Sequence, residues 1–308
     1  MVDIPPGLTA TVTGRAPDPA LGTDGVHGDR WLAGLPRLVA GAGARWGLTA
    51  DGPAMHGENA LVVPVVAPSG RAVLKVTWPH EEARHEHLAL RLWGGQAAVR
   101  LLAADPSAQV LLLERLDDRR PLTAEPVLDA CEVVGRLLRA LDRPAHPRLA
   151  TVAARADRWR ETLLAGSALV PHRLAVQARA ELDDLLADAP EPRMVHEDLH
   201  DANVLAPLDA ARGAWLAIDP KPVAAEPAFG VAPIVWNRAE ETARAWSPRT
   251  HVRLRADVVA DAAGLDPDRV RAWTHVRLVL NALEAARHAP ASDDFRERMI
   301  TLAKAFAD

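Results

Sequence analysis

The chain has 308 residues, 49% of them hydrophobic and 25% charged, enough for a substantial core in one large domain or two lobes. A net charge of −5 argues against a nucleic-acid partner, because gripping a phosphate backbone relies on basic patches. The single cysteine, Cys131, rules out an internal disulfide or a thiolate metal cluster, and the apolar run Leu61 to Ala67 is far too short to cross a bilayer.

In chain order, Met1 to Gly7 lacks the basic flank and apolar core of a secretion signal, so a reducing cytoplasm is the expected compartment. Residues 1–29 are rich in Pro, Gly, Asp and Thr and read for the most part as loop or tail. Trp31, Leu32, Leu35, Leu38, Val39, Ala42 and Trp46 recur at helical spacing, with Pro36 marking a helix start. Met55 to Ala60 reads as a turn, Leu61 to Ala67 and Arg71 to Thr77 as strands, and Glu81 to Trp93 as a helix after Pro79. Val99 to Ala103 and Gln109 to Glu114 complete a small sheet. Beyond Pro121 helical periods take over, near 125–142, 151–165, 172–189, 230–246, 250–263, 267–288 and 293–307, interrupted by a hairpin at 194–219. This order gives an α+β plan of two lobes: residues 1–115 as a small-sheet nucleotide-binding lobe, and 116–308 as a larger helical lobe for catalysis and substrate, with a hinge at Glu114 to Pro121.

The most informative stretch is Val195 to Leu205 together with Trp215 to Asp219. It sets an acid, Asp198, five residues before an amide, Asn203, and a second acid, Asp219, at the end of an apolar run. ATP-dependent phosphoryl transfer needs such a set: one carboxylate to accept a hydroxyl proton, and an amide and a carboxylate to hold Mg²⁺ against the phosphates. A turn between Asp198 and Asn203, a strand from Val204, and a return strand from Trp215 to Ile218 would bring Asn203 and Asp219 to one end of a hairpin. Each acid alone also fits a plain turn.

Lysine stands only at 75, 221 and 304 among 36 basic residues, so each invites a question. A compact ammonium in mid-strand suits α/β-phosphate oxygens, and Lys75 would need a carboxylate to hold its flexible stem. The following helix offers Glu82 and Glu86; Glu86 shares a stripe with Ala83, His87 and Leu90 and is the expected partner. The turn with Gly57 and Asn59 is the expected phosphate cover, although it lacks a Gly-x-Gly-x-x-Gly run and an ordinary hairpin would look alike. No Gly-Lys-Ser/Thr loop is present, which disfavours a P-loop fold. Backbone groups near Glu114 and Leu116 are placed to read an adenine edge.

One competing motif is His196-Glu197-Asp198-Leu199-His200, a literal H-E-x-x-H. A zinc site of that kind needs a helix to put both rings on one face, and Pro190, Pro192 and strand-like Val204-Leu205 argue against one here. His196 then reads as a loop histidine bracing Asp198. His80, His85 and His87 surround a helix start, but His85 and His87 are two apart and do not share a helical face, and Cys131 reads as a packed thiol.

These residues together resemble the aminoglycoside phosphotransferase superfamily, and within it the streptomycin 6-kinase-like (aminoglycoside/hydroxyurea resistance kinase) branch. The likeness runs through Trp31 to Pro36, Ser69 to Lys75, Leu90 to Gly95, Leu112 to Asp117, His196 to Leu205 and Trp215 to Pro220. It implies a protein-kinase-like fold that moves the γ-phosphate of ATP to a hydroxyl of a small cationic antibiotic. Asp198 would be the base, Asn203 and Asp219 the Mg²⁺ ligands, and Lys75 with Glu86 the phosphate-holding pair. Three departures stand out. Glu197 replaces a usual glycine or bulky residue, and Gly230 stands where an aspartate usually supports the catalytic loop. Asp201, with Glu197 and Glu226, is expected to form an acidic mouth for a guanidinium or ammonium group. A kinase of another hydroxylated metabolite or antibiotic, or a non-catalytic nucleotide-binding module, would share most of these features.

Overall fold

The computed structural model describes residues 2–288 and 290–307; Met1 and Asp308, the outer limits of the two expected lobes, lie outside them. Its first helix, α1 (Pro6–Val12), falls where the sequence reads as loop. Pro6 is preset for a first helical turn, and Leu8 and Val12, four residues apart, are fully buried. A 3₁₀ turn at Pro19–Asp24 leads to α2 (Gly28–Trp46). This helix starts eight residues before Pro36 rather than at it. Pro36 sits on its exposed face and costs about 3 kcal/mol, while buried Trp31 and Leu35 each return about 2 kcal/mol. Gly28 is required because a β-carbon there would lie 2.0 Å from the Val12 carbonyl oxygen.

Short strands β1 (Thr49–Ala50) and β2 (Met55–His56) precede the long pair β3 (Ala60–Ala67) and β4 (Gly70–Thr77). The expected helix from Glu81 divides: a 3₁₀ turn covers Glu81–Ala83, and α3 (Glu86–Trp93) begins only after His85. Next come β5 (Leu101–Asp105), β6 (Val110–Glu114) and β7 (Leu116–Pro121). The helices α4 (Val127–Leu141), α5 (Val152–Ala165) and α6 (His172–Ala187) lie close to the ranges read from periodicity. Strands β8 (Arg193–Val195), β9 (Val204–Pro207), β10 (Leu216–Ala217) and β11 (Val223–Ala225) follow. The expected helix over 230–246 is instead a 3₁₀ turn (Pro227–Val231), α7 (Pro233–Trp236) and α8 (Ala239–Arg244), broken by Pro233 and by the left-handed Arg238. The chain closes with α9 (Pro248–Ala263), α10 (Pro267–Arg287) and α11 (Asp293–Phe306).

Two compact units result, one of residues 1–119 with 205–221 and one of 120–204 with 222–308. In the first, an antiparallel sheet runs β1-β3-β4-β6-β5, and β10-β9-β7 forms a smaller sheet. Ala72, Leu74 and Val76 of β4 turn one face toward Leu8, Val12, Trp31 and Leu35, which α1 and α2 supply. Strand alternation therefore gives Val73 and Lys75 the other face. The second unit is helical. There α4 packs on α9 so closely that a β-carbon on Gly135 would lie 2.7 Å from the Val259 carbonyl, and α10 packs on α6, α9 and α11.

Candidate active site

In the first unit, Lys75 sits in mid-strand between Val62 of β3 and Leu111 of β6. Its ammonium meets both carboxylate oxygens of Glu86, at 2.7 and 2.8 Å, and Oδ1 of Asp219 at 2.5 Å. The break before α3 puts Glu86 in that helix's first turn, where a carboxylate suits the positive end of the dipole. Glu82 goes elsewhere, to Lys221 at 3.3 Å. Burial alone pulls the Lys75 ammonium down, but Asp219 and Glu86 outweigh it and hold its pKa above the usual lysine range. Burial pushes the Glu86 carboxyl up, to about 7, against the pull of Lys75. Asp219 follows the short strand β10, has left-handed backbone (φ 56°) and is half exposed, so its carboxylate stands at the edge of the cluster.

The second unit holds the loop after β8, which pairs Val195 with Val223 of β11. His196 and Leu199 are buried, and Asp198 between them keeps 22% of its side chain exposed. The Asn203 amide nitrogen donates to the Asp198 carbonyl at 2.9 Å and lies 3.2 Å from His200 Nε2. With that nitrogen committed to the loop, the amide oxygen is the atom left to face a cation. A carboxylate and an amide oxygen are the donors Mg²⁺ prefers, and two protein ligands suffice for an ion that keeps water and phosphate. The donor set therefore fits this ion. No helix spans 196–200, and no cluster of three His, Cys, Asp or Glu able to hold a metal occurs among the described residues, so the zinc alternative has no support.

Three comparisons with known proteins now bear on this chain. Residues 45–289 match the family described as aminoglycoside/hydroxyurea antibiotic resistance kinase. The chain belongs to this family. A streptomycin 6-kinase of Streptomyces glaucescens is 38% identical over 91% of this chain and 92% of its own. A hydroxyurea phosphotransferase of Kitasatospora aureofaciens is 40% identical over 84% and 75%. Among solved structures, a choline/ethanolamine kinase family protein of Mesorhizobium loti superposes with a TM-score of 0.61 at 16% identity, covering 87% of this chain and 94% of that one. An aminoglycoside phosphotransferase APH(4)-Ia variant with ADP and hygromycin B gives 0.57 at 16% identity, covering 87% and 98%. The α+β kinase-like fold expected from the sequence is thus the fold of this antibiotic resistance kinase.

Several expected site residues take other roles in this kinase. Glu197, Asp201 and Glu226 do not form an acidic mouth, because arginines of the protein claim all three. Glu197 meets Arg155 at 2.6 Å, Asp201 meets Arg238 at 2.5 Å, and Glu226 meets Arg269 at 2.7 Å and the Trp273 indole. Burial works to raise the Asp201 carboxyl, but hydrogen bonds from His200 and Arg238 hold it below the usual range. Burial pushes the Glu226 carboxyl up despite Arg269. The Glu114 carboxylate binds Arg212, and its amide N–H donates to the Arg100 carbonyl, which commits that amide to the sheet rather than to a base edge. Leu116 is buried in β7. Around the glycine-poor turn, Gly57 N–H donates to Ala60, and the Asn59 side chain is held by Arg15 at 2.5 Å. A β-carbon at Gly230 would come 2.8 Å from Val195, so an aspartate does not fit there without movement. Sequence reading missed Arg15, Arg155, Arg238 and Arg277. Arginine is the commonplace cation of this chain, and nothing in spacing marks these four. Cys131 is buried as expected, and burial pushes its thiol up to about 12.

Proposed function

We propose that this kinase transfers the γ-phosphate of ATP to a hydroxyl of a small antibiotic, with streptomycin the first acceptor to test. Lys75, held by Glu86, neutralises phosphate oxygens of the nucleotide. Asn203 and Asp219 would hold Mg²⁺, which supplies charge neutralisation at the phosphates. Asp198 accepts the proton as the acceptor oxygen bonds to the γ-phosphorus and the bond to the ADP oxygen breaks in line. Positioning and charge do the catalysis, and no covalent enzyme intermediate forms. One observation carries the reading: a buried ammonium flanked by two carboxylates from separate elements. Such a trio is poor value for stability, since apolar residues of similar volume often do as well or better. It is well placed to meet a polyanion.

A second reading, kinase action on another hydroxylated compound, is favoured by the arginine pairing of Glu197, Asp201 and Glu226, which removes the expected attraction for a cation. The hydroxyurea phosphotransferase relative points the same way. Incubation with γ-labelled ATP and a panel of acceptors separates the readings. Label on streptomycin supports the first, and label on hydroxyurea or another acceptor alone supports the second. Nucleotide binding with no label on any acceptor overturns both in favour of a binding module.

A further inference from the structure

Glu197 occupies a backbone conformation that side chains with a β-carbon rarely adopt. Its φ is 55°, in the left-handed region where glycine is at ease. It directly precedes Asp198, whose N–H donates to the His196 carbonyl at 2.6 Å across this tight turn. Two arginines grip it. Arg155 on α5 donates to its carboxylate at 2.6 Å. Arg277 on α10 sends both terminal nitrogens to its carbonyl oxygen, each at 3.2 Å, and lies 4.0 Å from its carboxylate. One of those nitrogens also donates to the Phe229 carbonyl at 2.9 Å, next to Gly230. The Arg277 guanidinium is itself fixed over the rings of Phe229 and Trp236, at 4.4 and 5.0 Å. Phe229 in turn stacks on Trp159, one turn beyond Arg155 on α5.

We propose that Arg155 and Arg277 are positioning residues that hold Glu197 in its left-handed turn and so aim the Asp198 carboxylate at the acceptor hydroxyl. This rests on the reading of Asp198 as the proton acceptor. Strain at a non-glycine residue persists only where surroundings over-determine it, and here they do so through both the carboxylate and the carbonyl. Both arginines reach the turn through Glu197, one at its carboxylate and the other at its carbonyl. Glu197 is thereby a structural partner of the two guanidinium groups and not a subsite for a cationic acceptor.

The test is a double-mutant cycle read in kcat and in KM for ATP. Arg155→Met is expected to lower kcat about tenfold, the scale of a lost coupling between touching residues, with KM for ATP within about twofold of wild type. Arg155→Lys is expected to restore part of that loss. Glu197→Ala, which keeps the β-carbon but loses the carboxylate, is expected to lower kcat more than Glu197→Gly, which relieves the turn. In the Glu197→Gly background, Arg155→Met is expected to cost nothing further. Equal losses from Arg155→Met in both backgrounds, or a Glu197→Ala variant at least as active as Glu197→Gly, would overturn the proposal. So would wild-type kcat in Arg155→Met. Thermal unfolding of each variant separates a lost fold from a misplaced base, and Arg277→Lys serves as a second probe if Arg155→Met does not fold. Asp198→Asn assayed alongside keeps the two ideas apart. If it turns over normally the base assignment fails, whereas the cycle still reports whether Arg155 and Glu197 act together.

Discussion

The Lys75 cluster and the Asp198 loop solve opposite problems. Around Lys75 the two buried groups, an ammonium and a carboxylate, stand on regular backbone, a long strand and the first turn of a helix, and the tension lies mainly in the charges, with a second carboxylate at the rim from left-handed Asp219. Around Asp198 the charges are widely paired and the tension lies in the backbone, with left-handed Glu197 before it. One site stores electrostatic cost on rigid elements, and the other stores conformational cost in a loop braced by helices. Substitutions should therefore separate the two by how stability and turnover move.

The largest separation is expected at Lys75. Lys75→Met should cut kcat/KM about 10³-fold and also destabilise the fold by about 3 kcal/mol, because Glu86 is left buried without its counter-charge. Lys75→Met with Glu86→Leu should return most of the stability and none of the activity. Chemical denaturation beside steady-state kinetics reads both. Recovery of activity with stability would make the cluster a structural ion pair.

The second effect concerns the loop. Arg238 binds Asp201 and donates to the carbonyls of Leu122 and Glu125, so it ties the loop to the turn that opens the helical unit. Arg238→Met should cost about 3 kcal/mol of stability, while the nucleotide dissociation constant stays within about threefold. A large loss of nucleotide affinity without destabilisation would reverse the comparison.

A smaller effect follows from Glu86, whose carboxyl burial pushes up to about 7. Above that pH it is ionised and holds Lys75; as pH falls through it, the carboxyl takes up a proton and the hold weakens. Nucleotide affinity should therefore drop about tenfold on going from one unit above to one unit below, and Glu86→Gln should flatten the profile. For stability the sign is opposite. The unfolded chain releases this proton near 4.5 and the folded one near 7, so ionising Glu86 costs stability as pH rises through that window. Calorimetric titration of nucleotide at a series of pH values checks the first, and thermal unfolding across the same series the second.

What the sequence made legible follows the same division. Alternation in β4 and periodicity in α4, α5, α6, α9, α10 and α11 were readable because each element has one apolar face to bury. Lys75 stood out because lysine is rare in this chain and this one sits in mid-strand, on the face opposite Ala72, Leu74 and Val76, and Asp198, Asn203 and Asp219 because their spacing is set by a short loop and a hairpin. Less was visible where distant residues decide the conformation. Nothing local shows that Pro36 rides on the open side of α2, that Arg238 turns left-handed and breaks a helix, or that Arg155 and Arg277 reach Glu197 from 42 and 80 residues away. Glu197, Asp201 and Glu226 looked like a cation trap because their arginine partners lie far along the chain.

The proposed phosphoryl transfer turns on Asp198 receiving the acceptor's proton. Single-turnover transfer from γ-labelled ATP, measured for wild type and Asp198→Ala with nucleotide binding followed on the same samples, tests it most directly. Transfer slowed by about 10³-fold or more, with nucleotide affinity kept, is the predicted result. Wild-type transfer rates in Asp198→Ala would contradict it.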